Sequence, residues 1–131
     1  MTNTPVFAQT PKLFVATLTS PTAVTSRANI TGTTGLTKLT DLQTNGLRVD
    51  SIQVVSKGTS SAGIVFVWLY DGTTSYLWDQ IDISAVTGST TLDSIAVSKT
   101  YTSKNLTSTQ QLYVSISVTQ DVNVFLDGGA Y

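Results

Sequence analysis

Gly63-Ile64-Val65-Phe66-Val67-Trp68-Leu69-Tyr70 is the most apolar stretch of the chain, and Asp71-Gly72-Thr73-Thr74 follows it at once. A short run of β-branched and aromatic residues closed by an Asp-Gly turn reads as a central β-strand entering a hairpin. Strand side chains alternate between the two sheet faces, so Ile64, Phe66 and Trp68 are expected on one face, with Phe66 buried. Tyr76 to Ile83 is the expected return strand. Its Tyr76 and Trp78 alternate with Leu77, Asp79 and Ile81, which gives it two unlike faces.

Extended segments continue on both sides of this hairpin. Lys12–Thr19 reads as a strand and Ala23–Thr33 as a less regular one; Gly32 and Gly35 bracket a turn before Leu36–Thr40. Asn45-Gly46 is a strong turn dipeptide, because both residues tolerate positive φ. Leu47–Ser56 follows, and its apolar parity changes: Leu47 and Val49 share one face, Ile52 and Val54 the other. That predicts a bulge near Asp50-Ser51 or burial on both faces. Further strands are expected at Leu92–Ser98, at Gln111–Val118 with Leu112, Val114, Ile116 and Val118 pointing one way, and at Val122–Leu126, ended by Gly128-Gly129. No stretch has a convincing helical period and no repeat is evident. The expectation is an all-β antiparallel β-sandwich, jelly-roll-like, of about eight strands over residues 12–131. Residues 1–11, with Pro5 and Pro11, read as an extended N-terminal arm. Val6 and Phe7 are its sizeable apolar groups, and Pro5, Val6, Phe7 and Pro11 are the candidate contacts with a neighbouring subunit.

Composition argues in the same direction. Thr is the commonest residue, Glu, His and Cys are absent, and all 8 acidic residues are Asp. A net charge of −1 with scattered Lys and Arg does not suit a nucleic-acid binder. Without His or Cys, Ser-His-Asp and Cys-His catalysis and the usual zinc and copper sites are ruled out. Asp79 and Asp82 stand three apart, which on a strand sends them to opposite faces rather than into a glycosidase pair. Asp71, Asp121 and Asp127 are candidates for an oxygen-only calcium site, against the more ordinary reading as turn residues. The expectation is a non-enzyme with no catalytic residue, metal or cofactor. Trp68, Tyr70, Tyr76 and Trp78 flank one hairpin and read as packing groups; the competing reading is a platform for sugar rings. The start lacks the pattern of a signal peptide and the apolar runs are too short to span a bilayer, so a chain made in a cytoplasm is expected, with no membrane partner.

The stretch from Thr44 to Val86 resembles a family of small virion proteins of tailed bacteriophages. The resemblance rests on Asn45-Gly46-Leu47-Arg48-Val49, Gly58-Thr59-Ser60-Ser61-Ala62-Gly63, Asp71-Gly72-Thr73, Leu77-Trp78-Asp79-Gln80-Ile81 and the closing Asp127-Gly128-Gly129. Asn105–Gln110 departs from it, standing where the family often carries a Leu-Pro-x-Gly turn. These are turn and packing motifs. The resemblance implies a β-sandwich virion component, a capsid decoration or cement protein on the outer surface of the head. Its implied partners are the major capsid protein or other virion proteins, and its own copies as a homotrimer. Its implied location is the virion, after synthesis in the bacterial host cytoplasm. A tail or fibre component, or a glycan-binding β-sandwich module, is the alternative.

Overall fold

The fold was obtained as a computed structural model that describes residues 10–89, 91 and 93–131. Nine strands are present among them: β1 (Thr10–Leu18), β2 (Ile30–Thr31), β3 (Thr37–Lys38), β4 (Leu47–Ser56), β5 (Gly63–Tyr70), β6 (Thr74–Ile83), β7 (Ala96–Leu106), β8 (Gln111–Ile116) and β9 (Val122–Ala130). They form two antiparallel sheets, of order β1-β9-β4-β7 and β2-β6-β5-β8-β3. Setting the two-residue β2 aside, the pairs β5–β6, β4–β7, β3–β8 and β1–β9 nest inside one another around the Asp71–Thr74 turn. This is one long hairpin rolled into a sandwich, the jelly-roll arrangement.

The turn at the tip of the roll is built by its own side chain. Asp71 Oδ1 accepts hydrogen bonds from the backbone N–H of Thr73 (2.9 Å) and Thr74 (2.8 Å), which fixes the reversal between β5 and β6. At the Asn45-Gly46 turn, Gly46 takes a φ of +92°, and a Cβ there would stand 2.5 Å from the carbonyl oxygen of Leu106. Only glycine meets both demands.

The core between the sheets is filled from every strand of ordinary length. Val65 and Val67 of β5 meet Leu112, Val114 and Ile116 of β8, Ile52 and Val54 of β4, and Val122, Val124 and Leu126 of β9. The parity change in β4 resolves as a bulge: register slips between Val49 and Ser51 against both β7 and β9. The extra residue, Asp50, restores the phase, so Leu47, Val49, Ile52 and Val54 are all buried on the same core.

β5 is buried on both faces. Phe66 (1% exposed) and Trp68 (0%) point away from the inter-sheet core and are still inaccessible, because the chain lays a strap across them. The Val24 N–H donates to Ile116 O at the outer edge of β8 (2.9 Å). The Arg27 guanidinium lies 5.4 Å over the Phe66 ring, and its Nε donates to Gln80 Oε1 of β6 (2.7 Å). Ile30 and Thr31 then pair with β6 at its far edge. Between residues 24 and 31 the backbone therefore crosses β8, β5 and β6 before returning to β8 as β3. The Trp68 Nε1–H donates to the buried Ser115 Oγ at 2.9 Å, so the indole's polar group is satisfied beneath the strap.

Several boundaries differ from the sequence reading: of the strand expected over Ala23–Thr33 only Ile30–Thr31 is paired as a strand, and the one expected over Gln111–Val118 ends at Ile116. The strand expected over Leu92–Ser98 lies at Ala96–Leu106: β7 is an edge strand with most side chains in solvent, and so carries little apolar period. Gly128 and Gly129 do not end the last strand. β9 runs through them to Ala130, paired on both sides, and a Cβ on Gly128 would collide with Arg48 O of β4. β1 begins at Thr10, so Pro11 belongs to the sheet and stands opposite Gly129.

Phe66→Ala should lower unfolding stability by about 3–5 kcal/mol, the range for emptying a buried aromatic site, as read from urea unfolding of the two proteins.

Candidate docking surface

The two sheets treat their outer faces differently. The five-stranded sheet is covered by the chain's own strap. The four-stranded sheet is bare, and its outward side chains fall in rows set by the register: Leu13–Asp127–Ser51–Thr100, Val15–Phe125–Gln53–Ser98 and Thr17–Asn123–Val55–Ala96. Leu13 is 66% exposed and Val15 50%, two of the four large hydrophobic residues exposed among those described. With the half-buried Phe125 they border a shallow hollow of about 480 Å³, closed by Ser51, Gln53 and Asp127. Burial of the alternate side chains Phe14, Ala16 and Leu18 holds β1 in place and thereby fixes Leu13 and Val15 outward.

Polar groups frame this face. Thr17 Oγ1 donates to Asn123 Oδ1 (3.0 Å). Arg48 and Asp50, brought alongside each other at the β4 bulge, form a two-bond pair at 2.8 and 3.0 Å. The hydrogen bonds that Arg48 donates to Asp50, and then the carboxylate's charge, hold the guanidinium above its ordinary pKa. Both groups remain well exposed, so the pair sets geometry and local neutrality more than stability.

A second polar cluster ties the two sheets together at the opposite edge of the sandwich. β6 bulges at Trp78, since Val67 and Trp68 face Asp79 and Leu77. Trp78 then packs on Tyr101 of β7, with ring centroids 5.0 Å apart. Asp79 accepts from Tyr101 Oη (2.6 Å), Lys99 Nζ (2.7 Å) and the Gln80 N–H (2.8 Å). Burial pushes the Asp79 carboxyl up, but the hydrogen bonds from Lys99 and Tyr101 outweigh it and hold the group below its ordinary value of 3.8. Burial, and then Asp79, drive the Tyr101 phenol well above its ordinary range. Both Asp79 and Tyr101 are thereby kept in their hydrogen-bonding forms. The cluster is a clamp between sheets.

The sequence candidates are placed as follows. Pro5, Val6 and Phe7 lie outside the described residues. Pro11 is exposed, as the second residue of β1. Asp79 and Asp82 diverge, Asp79 toward β7 and Asp82 to solvent. Asp71, Asp121 and Asp127 are not gathered. Asp71 caps its own turn, Asp121 Oδ1 accepts from the Ser20 N–H (2.7 Å), and Asp127 sits within β9 beside Leu13. Among the four hairpin aromatics no coplanar exposed pair forms. Trp68 is covered, Tyr70 meets Tyr113 edge-on at 78°, Trp78 is tilted 43° against Tyr101, and Tyr76 is 41% exposed. Leu13, Val15 and Phe125 were not singled out by the sequence; the signal for β1 was that Lys12–Thr19 carries apolar residues in both parities.

Comparison with protein-family models, with curated proteins and with solved structures found no match.

The Asp79 clamp has a pH signature. A carboxyl whose folded pKa lies below its unfolded value stabilises fully above the unfolded value, and loses that contribution as pH falls through the folded one. Melting temperature should therefore drop on acidification below pH 3.8. Asp79→Asn should melt lower at neutral pH and show a shallower acid decline, as measured by thermal melts in matched buffers.

Proposed function

We propose that the chain is a structural component of a tailed-bacteriophage virion, a capsid decoration protein that seats on the outer surface of the head. The observation that carries this reading is the bare face of the four-stranded sheet, with Leu13 and Val15 standing in solvent beside Phe125. A chain that covers one outer sheet face with its own strap and leaves the other uncovered has an apolar surface suited to a protein partner. The resemblance between Thr44 and Val86 supplies the class of partner: the major capsid protein or another virion protein. The residues that carry it serve the sandwich itself. Asn45-Gly46 and Asp71-Gly72 make its turns, and Trp78 and Asp79 build the clamp.

In this role the protein contributes contact area. Seating a preformed pleated face spares the ordering cost that a folding segment would incur. The low overall charge limits the number of ions that have to be desolvated on seating.

The test is co-sedimentation with heads assembled without this chain. Wild-type protein should pellet with the heads to a saturating stoichiometry. Leu13→Asp with Val15→Asp should lose about tenfold or more in affinity, which is 1.4 kcal/mol or more, while its circular dichroism and melting temperature stay close to wild type. Wild-type protein that remains in the supernatant, or a double variant that binds at full strength, would reject the proposal.

A further inference from the structure

The four edges of the two sheets are not alike. β2 and β3 are two residues long and offer almost no free backbone. β7 is long, but it is interrupted by the register shift opposite Val49 and Ser51, carries Ser103 at a φ of 57°, and bears Lys99 and Lys104. Short strands, bulges and lysines are the ordinary means by which sheets discourage further pairing. β1 carries such devices only at its start, Pro11 and Lys12, and none from Leu13 onward. It pairs with β9 for nine residues without a slip, and Lys12, near its start, is its one charged residue. Its opposite edge makes no backbone hydrogen bond among the described residues.

We infer that β1 pairs antiparallel with β1 of a second copy about a two-fold axis, joining the four-stranded sheets of two chains into one of eight strands. Charge sets the register. Lys12 and Asp121 have no ion-pair partner within the described residues. Asp121 is held at the far end of β1 by its bond from the Ser20 N–H. With Val15 opposite Val15 of the second copy, Lys12 lies opposite Leu18 and beside the Ser20–Asp121 corner. Two-fold symmetry then makes this Lys12–Asp121 contact twice. The remaining strand, Leu13 to Leu18, is uncharged, so its burial removes no ion from water. The same operation on β7 would bring lysines together. An isologous contact of this kind closes at two copies, whereas a trimer needs a head-to-tail contact. Pairing also leaves the outer face free and sets the Leu13 and Val15 side chains of both copies side by side. The inference stands without the virion reading, since it concerns the chain alone in solution.

Sedimentation velocity of the full chain over a dilution series tests it. Wild type should sediment as a dimer that dissociates on dilution. Val15→Lys, at an exposed position, sets like charges across the two-fold and should weaken the dimer about tenfold or more with an unchanged melt. Lys12→Asp should also weaken it, and so should Asp121→Asn, which removes the charge and keeps the acceptor for the Ser20 N–H. A wild type that stays monomeric at the highest concentration would overturn the inference. So would a dimer or trimer indifferent to Val15→Lys, or one indifferent to both Lys12→Asp and Asp121→Asn.

Discussion

Burial of β5 on both faces is the constraint on which the remaining structure depends. A strand reading Ile-Val-Phe-Val-Trp-Leu cannot present either face to water without exposing several large side chains at once. The second sheet covers Val65 and Val67. For Phe66 and Trp68 the cover has to come from elsewhere, and the chain supplies it with the residues between β1 and β3. That segment must travel from one edge of the sheet to the other, and this accounts for its irregularity in sequence. It needs anchors at both edges, Val24 on β8 and Ile30 on β6, and one residue able to span the middle. Arg27 fills that role with its planar head on the Phe66 ring and its Nε on Gln80.

The cover is used once, and this sets the polarity of the molecule. Nothing comparable crosses the four-stranded sheet in the described residues, because the connections between its strands run through the other sheet. The jelly-roll nesting enforces this: β1, β9, β4 and β7 are never consecutive in the chain. The bare face is thus a consequence of topology, and the exposure of Leu13 and Val15 follows from a regular strand whose inward parity is already committed to the core. Bulges supply the departures from regularity. The one at Asp50 lets a strand of changing parity stay buried on one side and brings an arginine beside an aspartate. The one at Trp78 turns Asp79 toward β7.

Much of this was legible in the sequence, and for physical reasons. The Asp71 hairpin, the Asn45-Gly46 turn, the one-sided apolar pattern of β8 and the parity change in β4 are local signals, and each corresponds to a feature at the same residues. What could not be read depends on neighbours distant in sequence. β7 is held by pairing with β4 and by the clamp on Tyr101, with hardly a buried side chain of its own, so its polar run beyond Ser98 carries no strand signal. Gly128-Gly129 looked like a strand end because glycine is weak in strands; here it allows β9 to pass close to the Arg48 carbonyl between two partners. The bare face escaped because exposure is decided by what the strap covers, and two strands with apolar residues in both parities, β1 and β5, receive opposite treatment.

The distribution of charge bears on what such a face can do. Of the three ion pairs among the described residues, Lys99–Asp79 joins the two sheets and Arg48–Asp50 lies within β4 at the rim of the open face. In each the acid's charge is neutralised locally, by a cation it already holds. A partner seating between Leu13, Val15 and Phe125 then meets a surface whose nearby guanidinium has been satisfied in advance, and whose Thr17–Asn123 pair has already used one hydroxyl proton and one amide oxygen. Apart from the exposed Asp127, which has no ion-pair partner among the described residues, such a face offers little long-range attraction to draw a partner in, and correspondingly little salt dependence. On the reading proposed above, affinity at this face would come from fit over apolar area. On the virion reading proposed above, many modest and identical contacts would suffice, since avidity multiplies contacts that are weak one by one.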